Sequence, residues 1–141
     1  CPTGNILPVA GTPMDFRAGK PIGRDIDTGF SQTTMVGGGY DHCFVIDRGR
    51  GASQSLCAWA SSDKTGISMK VYTTQPGVQL YTGNWLGDEH AKDDANYGWG
   101  AGFALEAEMY PDTPHQSLFP QGIVGPGHPY SNVIEYHFMR H

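Results

Sequence analysis

The sequence predicts an all-β chain, and three observations carry that prediction. Twenty glycines and 10 prolines interrupt it every few residues, the apolar runs between them are short, and apolar and polar residues alternate through 67–74. Glycine and proline disfavour helix and set turns, whereas a period of two is the pattern of a strand with one face covered. At 141 residues with 38% hydrophobic content, the chain is long enough for one domain with a packed core.

The elements follow in order. Residues 1–34 are rich in Gly and Pro with little periodicity, and 12–17 is expected as an ordered loop in which Asp15 and Arg17 form a local structural pair. Gly37, Gly38 and Gly39 give the backbone freedom for a close approach just before a strand over 40–46. Alternation in that strand turns Asp41 and His42 to opposite sides. A strand over 67–74 puts Ile67, Met69, Val71 and Thr73 on one face and Ser68, Lys70, Tyr72 and Thr74 on the other. It runs into a polar, glycine-punctuated loop that ends at Asn84. Residues 84–99 read as an exposed loop whose Asp88, Glu89, Asp93 and Asp94 form a solvated charge cluster. Phe103, Leu105 and Ala107 share one face of the next strand, leaving Glu106 and Glu108 together on the other. After a turn-dominated connection over 120–129, a last strand over 133–138 places Ile134, Tyr136 and Phe138 together, toward the core.

Charge and cysteine content exclude several classes of function. A net charge of −5 and a pI near 5.5 offer no basic patch for a phosphate backbone, so no nucleic-acid partner is expected. No uninterrupted apolar stretch could span a membrane. Only 16% of residues are charged, against roughly 25% in an average soluble protein, which leans toward secretion without deciding localisation. Cys1, Cys43 and Cys57 have no zinc-site spacing and are too few for a disulfide scaffold, so buried or unpaired thiols are expected. Cys1 stands where an initiator Met would be, which points to cleavage from a longer precursor or to numbering from a processed end.

Four blocks carry a resemblance. They are 11–17 (Gly-Thr-Pro-Met-Asp-Phe-Arg), 39–44 (Gly-Tyr-Asp-His-Cys-Phe), 71–84 (Val-Tyr-Thr-Thr-Gln-Pro-Gly-Val-Gln-Leu-Tyr-Thr-Gly-Asn), and 102–108 (Gly-Phe-Ala-Leu-Glu-Ala-Glu) leading into Tyr110, Pro111 and Asp112. In this order they resemble the galactose mutarotases, or aldose 1-epimerases. The resemblance runs from about Val9 to Phe138 and corresponds to the C-terminal part of a family enzyme. It therefore implies that residues 1–141 are the C-terminal portion of a large antiparallel β-sandwich, with the N-terminal part missing or on another chain. Half a sandwich leaves an open sheet edge and an uncovered apolar face. A companion chain carrying the N-terminal part is the partner expected from this.

Interconverting the anomers of a hexose such as galactose or glucose requires one base at the C1 hydroxyl and one acid at the ring oxygen. The resemblance gives Glu106 the role of base. Its neighbours Ala104, Leu105 and Ala107 are apolar, and a partly desolvated carboxylate has a raised pKa. Glu108 points to the same side, but the family pattern selects Glu106. The resemblance makes Asp41 the carboxylate that accepts hydrogen bonds from sugar hydroxyls and Gln79 the substrate-contacting amide, with Gln75 supporting the loop before Pro76. His42 reads as a satisfied structural histidine. Trp59, Trp85 and Trp99 could stack on a sugar but match no binding role.

The family's acid is a His of the N-terminal part, so His90, His115, His128, His137 and His141 are not assigned to it. Ala107 stands where the family usually has Thr, and Cys43 occupies a commonly polar position. No cofactor and no metal site are expected. The rival expectation is a non-catalytic carbohydrate-binding module on the same fold, which would keep Asp41 and Gln79 without catalysis.

Overall fold

The computed structural model describes residues 2–49, 52–87 and 89–141, so the expectations for Cys1 and Asp88 fall outside the described residues. The all-β expectation holds. Strands are β1 (Asp41–Val45), β2 (Ser55–Ser62), β3 (Ile67–Thr73), β4 (Gly77–Tyr81), β5 (Glu89–His90), β6 (Asn96–Tyr97), β7 (Ala104–Glu108) and β8 (Ile134–Arg140). Among the described residues helix is confined to the five-residue α1 (Ser31–Met35) and short 3-10 turns at Ile22–Asp25, Lys92–Asp94 and Thr113–His115.

Two three-stranded sheets, ordered β1-β4-β7 and β2-β3-β8, are accompanied by a small β5-β6 ladder. Two compact units are defined by contacts: Cys1–Gly4, Cys43–Gln79 and Leu105–His141 form one, and Asn5–His42 with Leu80–Ala104 the other.

The first unit contains β2-β3-β8, antiparallel throughout. Central β3 is covered on both faces: Val71 and Thr73 are fully buried, and so is Ser68 on the face that alternation had assigned to solvent. A polar side chain survives burial when it is paired, and Ser68 Oγ lies 3.0 Å from His141 Nε2. The β2-β3 turn closes through Gly66 N–H donating to Ser62 O at 2.9 Å, and His141 N–H donates to Gly66 O at 2.8 Å. Opposite β3, β2 carries a bulge between Leu56 and Ala58. The extra residue is Cys57, whose thiol donates to Val71 O at 3.3 Å.

Strand β8 departs from expectation. Register pairs Ile134 with Thr73, Tyr136 with Val71 and Phe138 with Met69, so the three do share a face, and the Tyr136 and Phe138 rings stack. They are not core residues here: Tyr136 is 49% and Phe138 67% exposed, on the edge strand of the sheet. Alternation fixes which side chains share a face but does not supply the layer that covers them.

Other departures have simple causes. Residues 55–62 form β2 as an additional strand, and β4 forms where a glycine-punctuated loop was expected. Its Val78 and Leu80 are buried, so packing outweighs the turn propensity of the preceding Pro76 and of Gly77 at its start. Within 84–99 lies the β5-β6 ladder, with Asp93 and Asp94 in left-handed conformation at its turn.

The second unit is organised around Tyr40, which is fully buried. Its hydroxyl donates to Pro13 O at 3.0 Å, and its ring meets Phe16 edge-on at 5.1 Å. Lys20, its side chain only 2% exposed, donates to Pro13 O and to Asp25 Oδ2, both at 2.6 Å. Its Nζ also lies 4.5 Å from the Phe16 ring centroid. Asp15 and Arg17 form the local pair expected of them, at 2.8 Å.

Gly39 has no room for a side chain: a Cβ there would fall 2.0 Å from Asn84 Oδ1 and 2.5 Å from Thr82 Oγ1. Because both neighbours are buried, neither can swing away. Gly39→Ala is expected to destabilise the fold by about 1–3 kcal/mol, measured by thermal or denaturant unfolding.

Candidate functional site

Each predicted site residue falls on a strand of one sheet. Asp41 opens β1, Gln79 is the middle residue of β4 and Glu106 the middle residue of β7, with β4 the central strand of the three.

Asp41 is half-buried, and its backbone N–H donates to His42 Nδ1 at 3.0 Å. That bond requires His42 Nδ1 to be an acceptor, so the neutral ring carries its proton on Nε2. Burial also pushes the His42 pKa down, more than the Asp41 charge pulls it up. His42 is thus a satisfied structural histidine that braces the residue before it.

Gln79 is half-buried between buried Val78 and Leu80. Gln75 is more deeply buried and serves its loop. Its N–H donates to Thr73 Oγ1 at 3.0 Å, and its Nε2 donates to the Tyr130 hydroxyl at 3.1 Å.

The partly desolvated environment expected of Glu106 belongs instead to Glu108. Glu106 is exposed, so the apolar residues beside it in sequence do not desolvate it. Flanking residues on a strand point to the opposite face, which is why apolar neighbours in sequence are a poor guide to local dielectric. Glu108 is half-buried and is the perturbed carboxyl: burial raises its pKa, the Cys43 thiol that donates to it pulls the other way, and the Glu106 charge raises it further. Cys43 is pushed up to about 12, first by burial and then by the Glu108 charge, so it stays a thiol and donates to the Glu108 carboxylate. Gly77 leaves room for this pair, since a Cβ there would lie 2.7 Å from Cys43 Sγ. Spacing alone could not reveal the pair, because Cys43 and Glu108 are far apart in sequence.

Both described cysteines are free, as expected. Among the described residues no group of three His, Cys, Asp or Glu could hold a metal ion, and no helix is long and apolar enough to cross a membrane. Trp59, Trp85 and Trp99 are all more than half exposed. Trp99 and Phe103 line an apolar cavity of about 330 Å³ that includes none of Asp41, Gln79 and Glu106.

The chain is similar to several known proteins. It matches the Aldose 1-epimerase family over residues 1–137. It is 36% identical to the aldose 1-epimerase of Escherichia coli, across 98% of this chain and 40% of that enzyme. With the galactose mutarotase of Homo sapiens it shares 35% identity, covering 97% of this chain and 38% of that protein. A solved GalM/aldose epimerase homologue from C. elegans superposes with a TM-score of 0.85 at 28% identity, covering 99% of this chain and 40% of that one. The chain therefore belongs to the aldose 1-epimerase family and has the galactose mutarotase-like fold, and it spans about 40% of the length of these relatives.

The Glu108 environment predicts a pH dependence of stability. A carboxyl whose folded pKa is raised adds stability that is complete below its ordinary pKa and is lost as pH rises through the folded value. Glu108→Gln cannot ionise, yet it can still accept from the Cys43 thiol. Its melting temperature should gain on the parent's as pH rises from about 4 to about 8, with the two converging at the acid end.

Proposed function

We propose that this chain supplies the base-bearing, C-terminal portion of a mutarotase that interconverts the α and β anomers of hexoses such as galactose or glucose. The observation that carries this reading is the family match across nearly the whole chain, together with a glutamate, an aspartate and a glutamine at the positions where the family's motifs fall.

In the proposed reaction Glu106 takes the proton of the C1 hydroxyl. The freed electron pair forms the C1 carbonyl, the bond from C1 to the ring oxygen breaks, and that oxygen is protonated by the acid, a histidine of the family's N-terminal part. The C1–C2 bond then turns and the steps reverse, with Glu106 returning its proton to the new C1 hydroxyl, so nothing is consumed. Asp41 accepts hydrogen bonds from sugar hydroxyls, and Gln79 can donate and accept at once. Ring opening of this kind needs general acid and base only, so neither metal nor redox cofactor has a step in it.

Activity on this reading requires the N-terminal part of the family fold, on a companion chain or on the same polypeptide. The exposed β8 face supports that requirement, because Tyr136 and Phe138 on an edge strand are surface that a further layer would bury. Covering Glu106 would also provide the desolvation that its exposed position lacks.

A non-catalytic sugar-binding module is the second reading, and the solvent exposure of Glu106 is the observation that favours it. Calorimetric binding of galactose or glucose by the assembled protein, with no change in mutarotation rate, would select this reading over the enzyme.

In the assembled protein, polarimetry should show Glu106→Gln lowering kcat by on the order of 10²–10⁴-fold, because a positioned general base contributes about that much. Asp41→Ala should act mainly by raising KM. An unchanged rate for Glu106→Gln would refute the base assignment.

A further inference from the structure

We propose that Thr82 and Asn84 are positioning residues for Asp41: they clamp the backbone on which its carboxylate is carried and so set substrate affinity without touching the sugar. The proposal rests on reading Asp41 as the sugar-binding carboxylate.

The segment leading into β1 lacks intrinsic stiffness. Gly37 and Gly38 have φ of 88° and 84°, Gly39 follows, and Asp41 is the first residue of the strand. Three consecutive glycines carry the largest backbone freedom the chain can have, and strand ends fray. Something must hold this segment if a carboxylate one residue beyond Tyr40 is to stay in place.

Asn84 staples both ends of the glycine run. Its Nδ2 donates to Val36 O at 2.7 Å, ahead of the glycines, and to Tyr40 O at 3.1 Å, after them. Thr82 grips Tyr40 from both sides: Tyr40 N–H donates to Thr82 Oγ1 at 2.8 Å, and Thr82 N–H donates to Tyr40 O at 3.0 Å. The threonine hydroxyl has one proton, which goes to Asn84 Oδ1 at 2.6 Å and thereby fixes the amide orientation. Every side-chain donor and acceptor of this trio has a partner, and Tyr40, Thr82 and Asn84 are all at most 6% exposed. Fully satisfied polar networks away from water are rigid, and a half-satisfied one is costly, so this clamp has one arrangement. Beyond Asp41 the His42 ring accepts the Asp41 N–H, which closes the bracket from the other side.

A residue that acts only through Asp41 leaves a signature in double mutants. Thr82→Val keeps the volume and removes the hydroxyl, Thr82→Ser keeps the hydroxyl, and Asn84→Ala removes the staple. In the assembled mutarotase, measured by polarimetry, Thr82→Val and Asn84→Ala should raise KM on the order of tenfold with kcat changed by no more than about twofold. Thr82→Ser should restore the parent KM. Combined with Asp41→Ala, neither Thr82→Val nor Asn84→Ala should raise KM further, since the group they position is gone. If Asn84→Ala fails to fold, the volume-conserving Thr82→Val and its Thr82→Ser partner decide the matter alone.

Two results overturn the proposal while leaving the Asp41 reading intact: Asp41→Ala raises KM but the clamp variants do not, or the clamp effects add in full to that of Asp41→Ala. An unchanged KM for Asp41→Ala instead removes the Asp41 reading, and the proposal falls with it.

Discussion

Tyr40 has no exposed surface, and that single fact organises one half of the chain. A buried phenol must place its hydroxyl, and a buried peptide must place its N–H and C=O, or the fold loses stability comparable to a hydrogen bond for each. Pro13, Thr82 and Asn84 provide those partners. The same ring anchors Phe16, over which the ammonium of Lys20 lies, and that ammonium is paired with Asp25. Asp25 also pairs with Arg24 at 3.3 Å, so of the two charges it is the buried Lys20 ammonium that would lose its compensation if its partner were removed. The loop that precedes α1 is therefore ordered by its contacts and not by secondary structure.

The chemistry of the site divides between two carboxylates on one strand. Glu106 is solvated and Glu108 is half-buried against a thiol. Proton exchange near neutral pH calls for a carboxyl shielded from water, and the chain as it stands shields the glutamate that the family pattern does not select. The exposed Glu106 and the bare apolar face of β8 share one feature: each lacks a covering layer among the described residues. Relatives of more than twice this length have residues to spare for such a layer.

Much of this was legible because it depends on short-range physics. Alternation over 67–74 gave β3, and the glycine run before Tyr40 marked a close approach that the lack of room for a Cβ at Gly39 bears out. The pairing of Asp15 with Arg17 is a two-residue event and was read correctly. What failed was inference about depth. Ser68 was assigned to solvent and is buried, while Tyr136 and Phe138 were assigned to the core and are exposed. In each case the face was right and the covering of that face was not, because period two says which residues travel together and nothing about what lies above them.

The sequence by itself determined the strand-rich class, the family, and the residue types available for proton transfer and hydroxyl recognition, since these follow from local pattern and motif. Tertiary structure alone decided that Cys43 meets Glu108, that Thr82 and Asn84 close on the backbone of Tyr40, and that Glu106 faces water. Those are relations between residues distant in the chain, and burial, which sets both the strength of a hydrogen bond and the pKa of a carboxyl, exists only once distant segments have packed.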